Sequence, residues 1–506
     1  MVSNDPSSPL TPVYPFNEPN QPISLYAGPI GGLGLADVPG VVQLSCTPHP
    51  SLEWSVRPVT APEFANRPEV TLVLRRPDGD MQMPGWVRGI DIEGPNGTLS
   101  GGGWSNGAVF GRGDAPVNRI IVHWFNLPNW HGPLPLADTT ADGIQRQWQG
   151  RWMIDADGWK VVLDVRGDHA RVWRDLHKAH TYVMTHVMEL RREDGSNFTA
   201  DEAEPVLAAS HLGVSFALGR WAAPMLPVGQ DAAGKITWEN WAVGHCGPAQ
   251  SPSPGWWYEQ DHEALANLLR RVISASADPD TLFRLRLQMV LAIMATSNQG
   301  FVEQRIMSGA AGLEHIMWQT LVLGGRMTKE EFDGHTEYQG RTLVAHDRLR
   351  MVLTEAQIPI DIDPSLLPVT AKYAAEVKRS QGLDLDGADM VTWIRNRLVH
   401  PEGTQEQVYR LNGLVAEVEL LTRHYLALLI LDSLGYQGLY RDLRRRTGWV
   451  SDVAKVPWAP NATRPTQRSL LGRLPRPTRA AAAGAGGGVR VRLGADRRSA
   501  SGEGGP

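Results

Sequence analysis

The alternation of apolar and polar positions changes character near residue 250. Before it, short apolar runs at 70–74, 119–124 and 159–165 are separated by Gly, Pro, Asn and Asp clusters. That pattern predicts strands joined by turns, gathered into a sandwich or barrel-like sheet. One helix interrupts the region. Thr199-Ala200-Asp201-Glu202 reads as a capping box, with the threonine oxygen accepting from a backbone N–H and the glutamate reaching back. The helix is expected to run to about Ser210, after a strand at 185–190 and a turn at Asp194-Gly195.

Residues 247–255, rich in Gly, Pro and Ser, read as a linker by composition. From Asp261 to about Gly448 apolar residues recur three or four apart, and helices are predicted near 260–276, 280–296, 299–323, 341–356, 366–380, 387–400 and 404–434. In the third, Ile306, Ala310, Leu313, Met317 and Leu321 form one stripe, with Glu303, Arg305 and Glu314 off it. Pro401 disfavours the helical conformation at His400, so the 387–400 helix should end there. Beyond 457 the chain is mostly Arg, Pro, Ala and Gly, which predicts a disordered tail that keeps the protein soluble or adds weak affinity for RNA. The class is therefore α+β, with a β-rich domain over 1–250, a linker and lead helices over 251–298, an all-α bundle over 299–456 and a tail over 457–506.

Composition refines this picture. A length of 506 residues favours more than one core. The longest apolar run near the C-terminus, 426–431, stops at Asp432, far short of the roughly 20 residues a membrane helix needs. The first residues, Met1-Val2-Ser3-Asn4-Asp5-Pro6, lack the basic and apolar regions of an export signal. Cys46 and Cys246 are too few for a disulfide framework or a closed zinc site, so a reducing cytoplasm is expected, with no cofactor. The formal charge of −5 is split: nine arginines against Asp496 and Glu503 give the tail from Ala459 a net of +7, leaving −12 on the preceding 458 residues. Any contact with RNA should then be local or helped by the tail.

Fourteen of the eighteen tryptophans fall in the first 257 residues, a density that suits a core and also a stacking surface; core is the first reading. His123 with His131, and His177, His180 and His186, have no carboxylate or cysteine that completes a metal-ligand pattern. Glycines at 28, 31, 32 and 34, and at 101–103, lack the strand-then-helix context and the Lys-Ser/Thr of a phosphate loop and are read as turns.

The stretch Trp393-Ile394-Arg395-Asn396-Arg397-Leu398-Val399-His400-Pro401 carries the clearest chemistry. On an ideal helix Met390, Val391, Ile394 and Leu398 share a core-facing side. Trp393, Asn396, Arg397 and His400 form a separate stripe, in which the large tryptophan argues for an interface. Arg395 lies about 140° around from His400. It meets the histidine through its long side chain, through unwinding before Pro401, or by donation from a second protomer. Metal-free RNA cleavage needs a base for the 2′-OH, an acid for the leaving 5′-oxygen and a cation for the crowded phosphorane. Histidine and arginine suit those roles, and Asn396 can orient either.

Arg395-Asn396, three residues, then His400, late in a helical bundle and followed by a long apolar helix, resembles the R-polar-x(3)-H motif of HEPN-domain ribonucleases. The β-rich front with Thr185-His186, the Asp194-Gly195 turn, Ser215-Phe216 with Gly219, and 227–231 with Gly234 and Trp238 resembles the ApeA-type proteins of bacterial antiphage defence. The resemblance implies a metal-independent endoribonuclease acting on RNA, tRNA among the candidates, at a site shared across a homodimer, in abortive-infection defence, with a phage-derived trigger at the N-terminal domain. It would make Arg395 the phosphate stabiliser, His400 the acid or base and Asn396 the orienter, with Arg397 and Trp393 in support and Glu314, or failing it Glu303, as an added acid. The plain reading of the same stretch is a helix end with solvated arginines and a capping histidine. Two further readings are a dimeric, catalytically inactive HEPN-fold binding or regulatory module whose Trp-rich β domain recognises a ligand or partner, and a carbohydrate-binding or hydrolytic β domain with an accessory bundle that would need a carboxylate pair.

Overall fold

The computed structural model describes residues 5–32, 37–59, 69–91, 97–103, 108–139, 143–176, 181–249, 253–297, 300–400, 406–409, 411–445 and 453–460. Six strands come first: β1 Ile23–Gly31, β2 Val38–Ser45, β3 Ser51–Val59, β4 Glu69–Leu74, β5 Met81–Asp91 and β6 Gly97–Gly103. They pair antiparallel in the order β5-β4-β1-β2-β3-β6, and β5 also pairs with β6, closing a barrel. Leu44, Trp54, Leu72, Met83 and Leu99 are buried in its core. Glycines 101–103 were expected in a turn and instead form the end of β6. A Cβ at Gly101 would stand 1.9 Å from the carbonyl oxygen of Trp86, and one at Gly102 would stand 2.3 Å from the Trp86 ring. Glycine lets the indole lie flat on the strand. Gly28 and Gly31 likewise lie in β1, and Gly34 is outside the described residues.

The sheet continues from β5 through β7 Val109–Gly111, which neighbours β16. After β8 Pro116–Val117 come β9 Arg119–Phe125, β10 Leu134–Thr139, β11 Gln145–Ala156 and β12 Trp159–Val165. A short helix, α1 His169–Leu176, then precedes β13 Met184–Arg192, β14 Phe198–Thr199, β15 Ala223–Gln230 and β16 Ile236–Asn240. The order is β10-β11-β12-β13-β9-β15-β16-β7. The three apolar runs quoted above fall in β4, β9 and β12.

Helix α2 Ala200–Leu218 carries the expected capping box, Thr199 accepting from Glu202 N and Glu202 accepting from Thr199 N. It runs eight residues past the expected Ser210 and stops at Gly219, in the left-handed conformation at φ 65°. Its second half continues through Gly213 because α3 His262–Ala275 crosses there: a Cβ on that glycine would meet Leu269 at 2.6 Å.

The bundle follows as α4 Pro279–Thr296, α5 Val302–Trp318 with a π-helical turn at Gln319–Leu323, α6 Lys329–Phe332, α7 Ala345–Glu355, α8 Pro368–Gln381, α9 Gly387–Val399, α10 Glu406–Tyr409 and α11 Leu414–Ser433. The predicted stripe on α5 is largely the buried one: Ile306, Leu313, Met317 and Leu321 are inside and Ala310 half-buried. A small ribbon, β17 Leu439–Arg441 with β18 Val453–Lys455, closes a region expected to be helical.

The hydrophobic cores do not divide at residue 250. One fills the barrel and reaches Phe125, Met184 and Met225; a second runs without a break from β9 and β11–β13 through α2 and α3 into α4, α5, α9 and α11; a small third gathers Val165, Val172, Trp173, Leu176 and Val183. The described part of the expected linker is packed: Gly255 N donates to Leu218 O at 2.8 Å and Arg441 Nη2 donates to Ser253 O at 2.7 Å. The described residues between 5 and 460 accordingly group as one compact unit. Packing also persists past the expected start of the tail, since Trp458 Nε1 donates to Tyr436 O at 2.6 Å and Ala459 is buried. Residues 461–506 lie outside the described set. Among the described residues no helix is long and apolar enough to cross a membrane.

Candidate functional site

Both ends of α9 are fixed by local chemistry. At its start Asp386 accepts from Asp389 N, the Asp389 carboxylate accepts from Asp386 N, and Arg350 of α7 bridges the two carboxylates at 2.7 and 3.0 Å. Burial, then the neighbouring Asp386 charge, pushes the Asp389 carboxyl upward. At its end His400 N donates to Asn396 O at 2.7 Å, and His400 has left the helix at φ −118°, ψ 88°, as a residue before proline should. Met390, Val391 and Ile394 are buried and Leu398 half-buried against the core.

The remaining side chains of this turn go two ways. Arg395 and Asn396 line a cavity of about 600 Å³, together with Glu314 and His315 of α5 and Arg348 of α7. Arg397 and Leu398 line a second cavity of about 940 Å³, together with Glu303 and Arg305 of α5. Arg395 Nη1 donates to Asn396 Oδ1 at 3.0 Å, so the amide that helical phase pairs with His400 is held by the arginine beside it. Asn396 and His400 are both exposed, and the histidine ring is not among the residues lining either cavity. Trp393 is half-buried and stacks on Tyr373 of α8, centroids 4.9 Å apart and planes 29° apart, with the Arg397 guanidinium 6.0 Å from its centroid. Part of its apolar face is therefore covered within the chain.

The two acidic candidates separate. Glu314 shares the cavity of Arg395 and Asn396, exposed, with Arg348 Nη2 3.9 Å away. Glu303 lies in the other cavity and accepts from Tyr409 OH at 2.8 Å. Two members of the Arg395 cavity were not singled out in the sequence. Arg348 donates to Phe332 O at 2.6 Å and lies over the Phe332 ring. His315 has a buried Nδ1 without a hydrogen-bond partner, and burial lowers its pKa, favouring the neutral ring. The only sequence signal for His315 was its place beside Glu314. The cavity groups two guanidiniums, an amide, a carboxylate and an imidazole, which can bind a phosphate, orient it and exchange a proton with it.

The other chemical candidates are structural. His123 is fully buried, with Nδ1 3.1 Å from Leu226 O and Nε2 accepting from Val13 N at 3.1 Å, and burial lowers it to about 4. His186 is buried between Trp130 O and Thr185 Oγ1 and lowered to about 3. His131 packs on His169, ring centroids 4.7 Å apart. His177 and His180 lie outside the described residues. Among the described residues no group of three or more His, Cys, Asp or Glu side chains could hold a metal ion. Burial pushes the Cys46 thiol up to about 12 and the Cys246 thiol to about 11, so neither is a ready thiolate. Trp54, Trp124, Trp130, Trp241, Trp256 and Trp257 are core residues; Trp221 is half-buried and lines the larger cavity.

Two regions of the chain are similar to known protein domains. Residues 112–252 match the YopA central domain and residues 285–455 the YopA C-terminal domain. The chain is 24% identical over 318 residues to the SPbeta prophage-derived uncharacterized protein YopA of Bacillus subtilis (strain 168), covering 62% of this chain and 67% of that protein. No solved structure matches. The β1–β6 barrel lies before the first matched region. The Arg395 cavity lies wholly within the second, whereas the larger cavity takes Trp221 and His245 from the first and its other lining residues from the second.

Proposed function

We propose that this protein is a metal-independent endoribonuclease of the HEPN type, acting as a homodimer in antiphage defence, with a phage-derived trigger acting on its β-rich part. The observation that carries the reading is the Arg395–Asn396 hydrogen bond at the wall of an open cavity shared with Glu314, at the same helix end as an exposed His400. Arg395 would bind the phosphate with its planar fork, held in place by Asn396. His400 would take the 2′-OH proton or return one to the leaving 5′-oxygen. The 2′-oxygen then forms a bond to phosphorus as the P–O5′ bond breaks, giving a 2′,3′-cyclic phosphate and a 5′-hydroxyl end with no water consumed. The distance in helical phase between Arg395 and His400 favours a site completed by a second protomer. The related Bacillus subtilis protein is prophage-derived, and a phage-linked role is consistent with that origin.

The test is incubation of purified protein with tRNA and total RNA in EDTA beside His400→Ala and Arg395→Ala. Cleavage by the wild type alone, leaving cyclic-phosphate ends, is the expected result. Equal nicking by all three, or strict metal dependence, overturns it. If all three are silent in vitro, toxicity on expression that depends on His400 decides between the nuclease and a binding module.

A further inference from the structure

The larger of the two cavities at α9 has a chemistry of its own. It occupies about 940 Å³ where the sheet region meets the bundle, at the upper end of the roughly 300–1,000 Å³ of small-molecule sites. From the sheet region come Trp221 and His245, rings 5.2 Å apart and crossed at 76°. From the bundle come Arg305 of α5, Arg397 of α9 and Tyr409 of α10.

Two guanidiniums reach this cavity. Arg305 stands 3.6 Å from Glu419, but that carboxylate also faces Arg423 at 3.7 Å, so one anion lies between two guanidiniums. The Nε–H of Arg305 has no hydrogen-bond partner. Glu303, the acid among the described lining residues, already accepts from Tyr409. Arg305 and Arg397 thus bring two guanidiniums to a wall whose described residues include one carboxylate, Glu303, in a body that carries −12 over its first 458 residues. An aromatic wall facing two guanidiniums suits a ligand with a flat heterocycle at one end and an anion at the other.

We propose that this cavity is a nucleotide-binding site, taking the base against Trp221 and His245 and the phosphate toward Arg305 and Arg397. The same chemistry is offered by a free nucleotide and by the 5′-phosphorylated end of an RNA strand. The site does not depend on cleavage at α9. Its ligand would nevertheless touch Arg397, two residues from Arg395 and three from His400, so occupancy would be felt at the end of α9.

The full chain, in EDTA, is titrated by fluorescence anisotropy with two probes, N-methylanthraniloyl-ADP and a labelled, 5′-phosphorylated single-stranded RNA hexamer. Saturable binding of one or both is expected, and the probe that binds more tightly identifies the source. Loss of a stacked base or of a phosphate contact should weaken it about tenfold or more in Trp221→Leu and in Arg305→Gln. Trp221 is half-buried, so its variant keeps the test valid should Arg305→Gln fail to fold. No saturation by either probe up to about 1 mM, or undiminished binding in every folded variant, overturns the proposal. So does displacement by inorganic pyrophosphate as effective as by unlabelled ADP, which would remove the base from recognition.

Discussion

Arg395 donates from Nη1 to Asn396 Oδ1 across 3.0 Å. Successive residues on a helix point about 100° apart, so the bond requires the arginine to bend along the helix surface, and it keeps the guanidinium at the cavity that Glu314 and His315 also line. The amide acts as a tether. Arg395→Lys keeps the charge and loses the planar fork, so cleavage of RNA should fall by roughly a hundredfold, the scale of losing one preorganised donor. Arg395 is only half-buried, and the thermal midpoint should barely move. Single-turnover cleavage beside a melting curve checks both; a variant with wild-type cleavage would remove Arg395 from the reaction.

Trp393 stacks on Tyr373 of the same chain. Trp393→Ala should therefore cost about 1–2 kcal/mol of stability from the lost stack and burial, while the association state measured by sedimentation stays that of the wild type. Dissociation of an assembly by this substitution, with stability intact, would return the tryptophan to an interface.

The contrast between those two side chains shows what the sequence made legible. The span of α9 and its end at His400 followed from periodicity and from Pro401, and the Thr199–Glu202 capping box was readable because its partners lie three residues apart. Closure of the barrel depends on β5 pairing with both β4 and β6, and the Arg395 cavity on α7 crossing near α5 and α9. Those are long-range relations that no local pattern encodes. The 247–255 segment misled for the same reason: its composition is that of a linker, and its packing against Leu218 and Arg441 comes from elements far away in the chain.

Acid should loosen the sheet region before carboxylates titrate. His123 and His186 are fully buried, and desolvation lowers them from 6.5 to about 4 and about 3. Between those values and 6.5 the unfolded chain binds protons that the folded chain refuses, so stability is present above pH 6.5 and falls as pH drops through this window. The loss is on the order of a few kcal/mol per histidine by the low end of the window. Urea unfolding followed by tryptophan fluorescence at pH 7.5 and pH 5 should show a lower midpoint at pH 5. His186→Gln, which can still donate to Trp130 O, should lower stability at pH 7.5 but flatten the dependence. An unchanged pH slope in that variant would show that His186 does not contribute to it.

The geometry of α9 makes a sharper demand on the nuclease reading. Arg395 belongs to one cavity, and His400 stands exposed beyond it. If a site is completed by Arg395 of one protomer and His400 of another, each single variant is dead for a different reason. Mixing Arg395→Ala with His400→Ala after partial unfolding and refolding then creates heterodimers in which one of the two sites carries both intact groups and the other carries neither. With random pairing half of the dimers are mixed, so cleavage should recover to roughly one quarter of the wild-type rate per chain. If instead both groups act within one chain, no pairing restores a complete set and the mixture stays as inactive as its components. Recovery that rises with protein concentration, as dimer formation requires, would place the reaction between protomers. Absence of recovery under conditions where labelled chains are shown to exchange would confine it to one protomer.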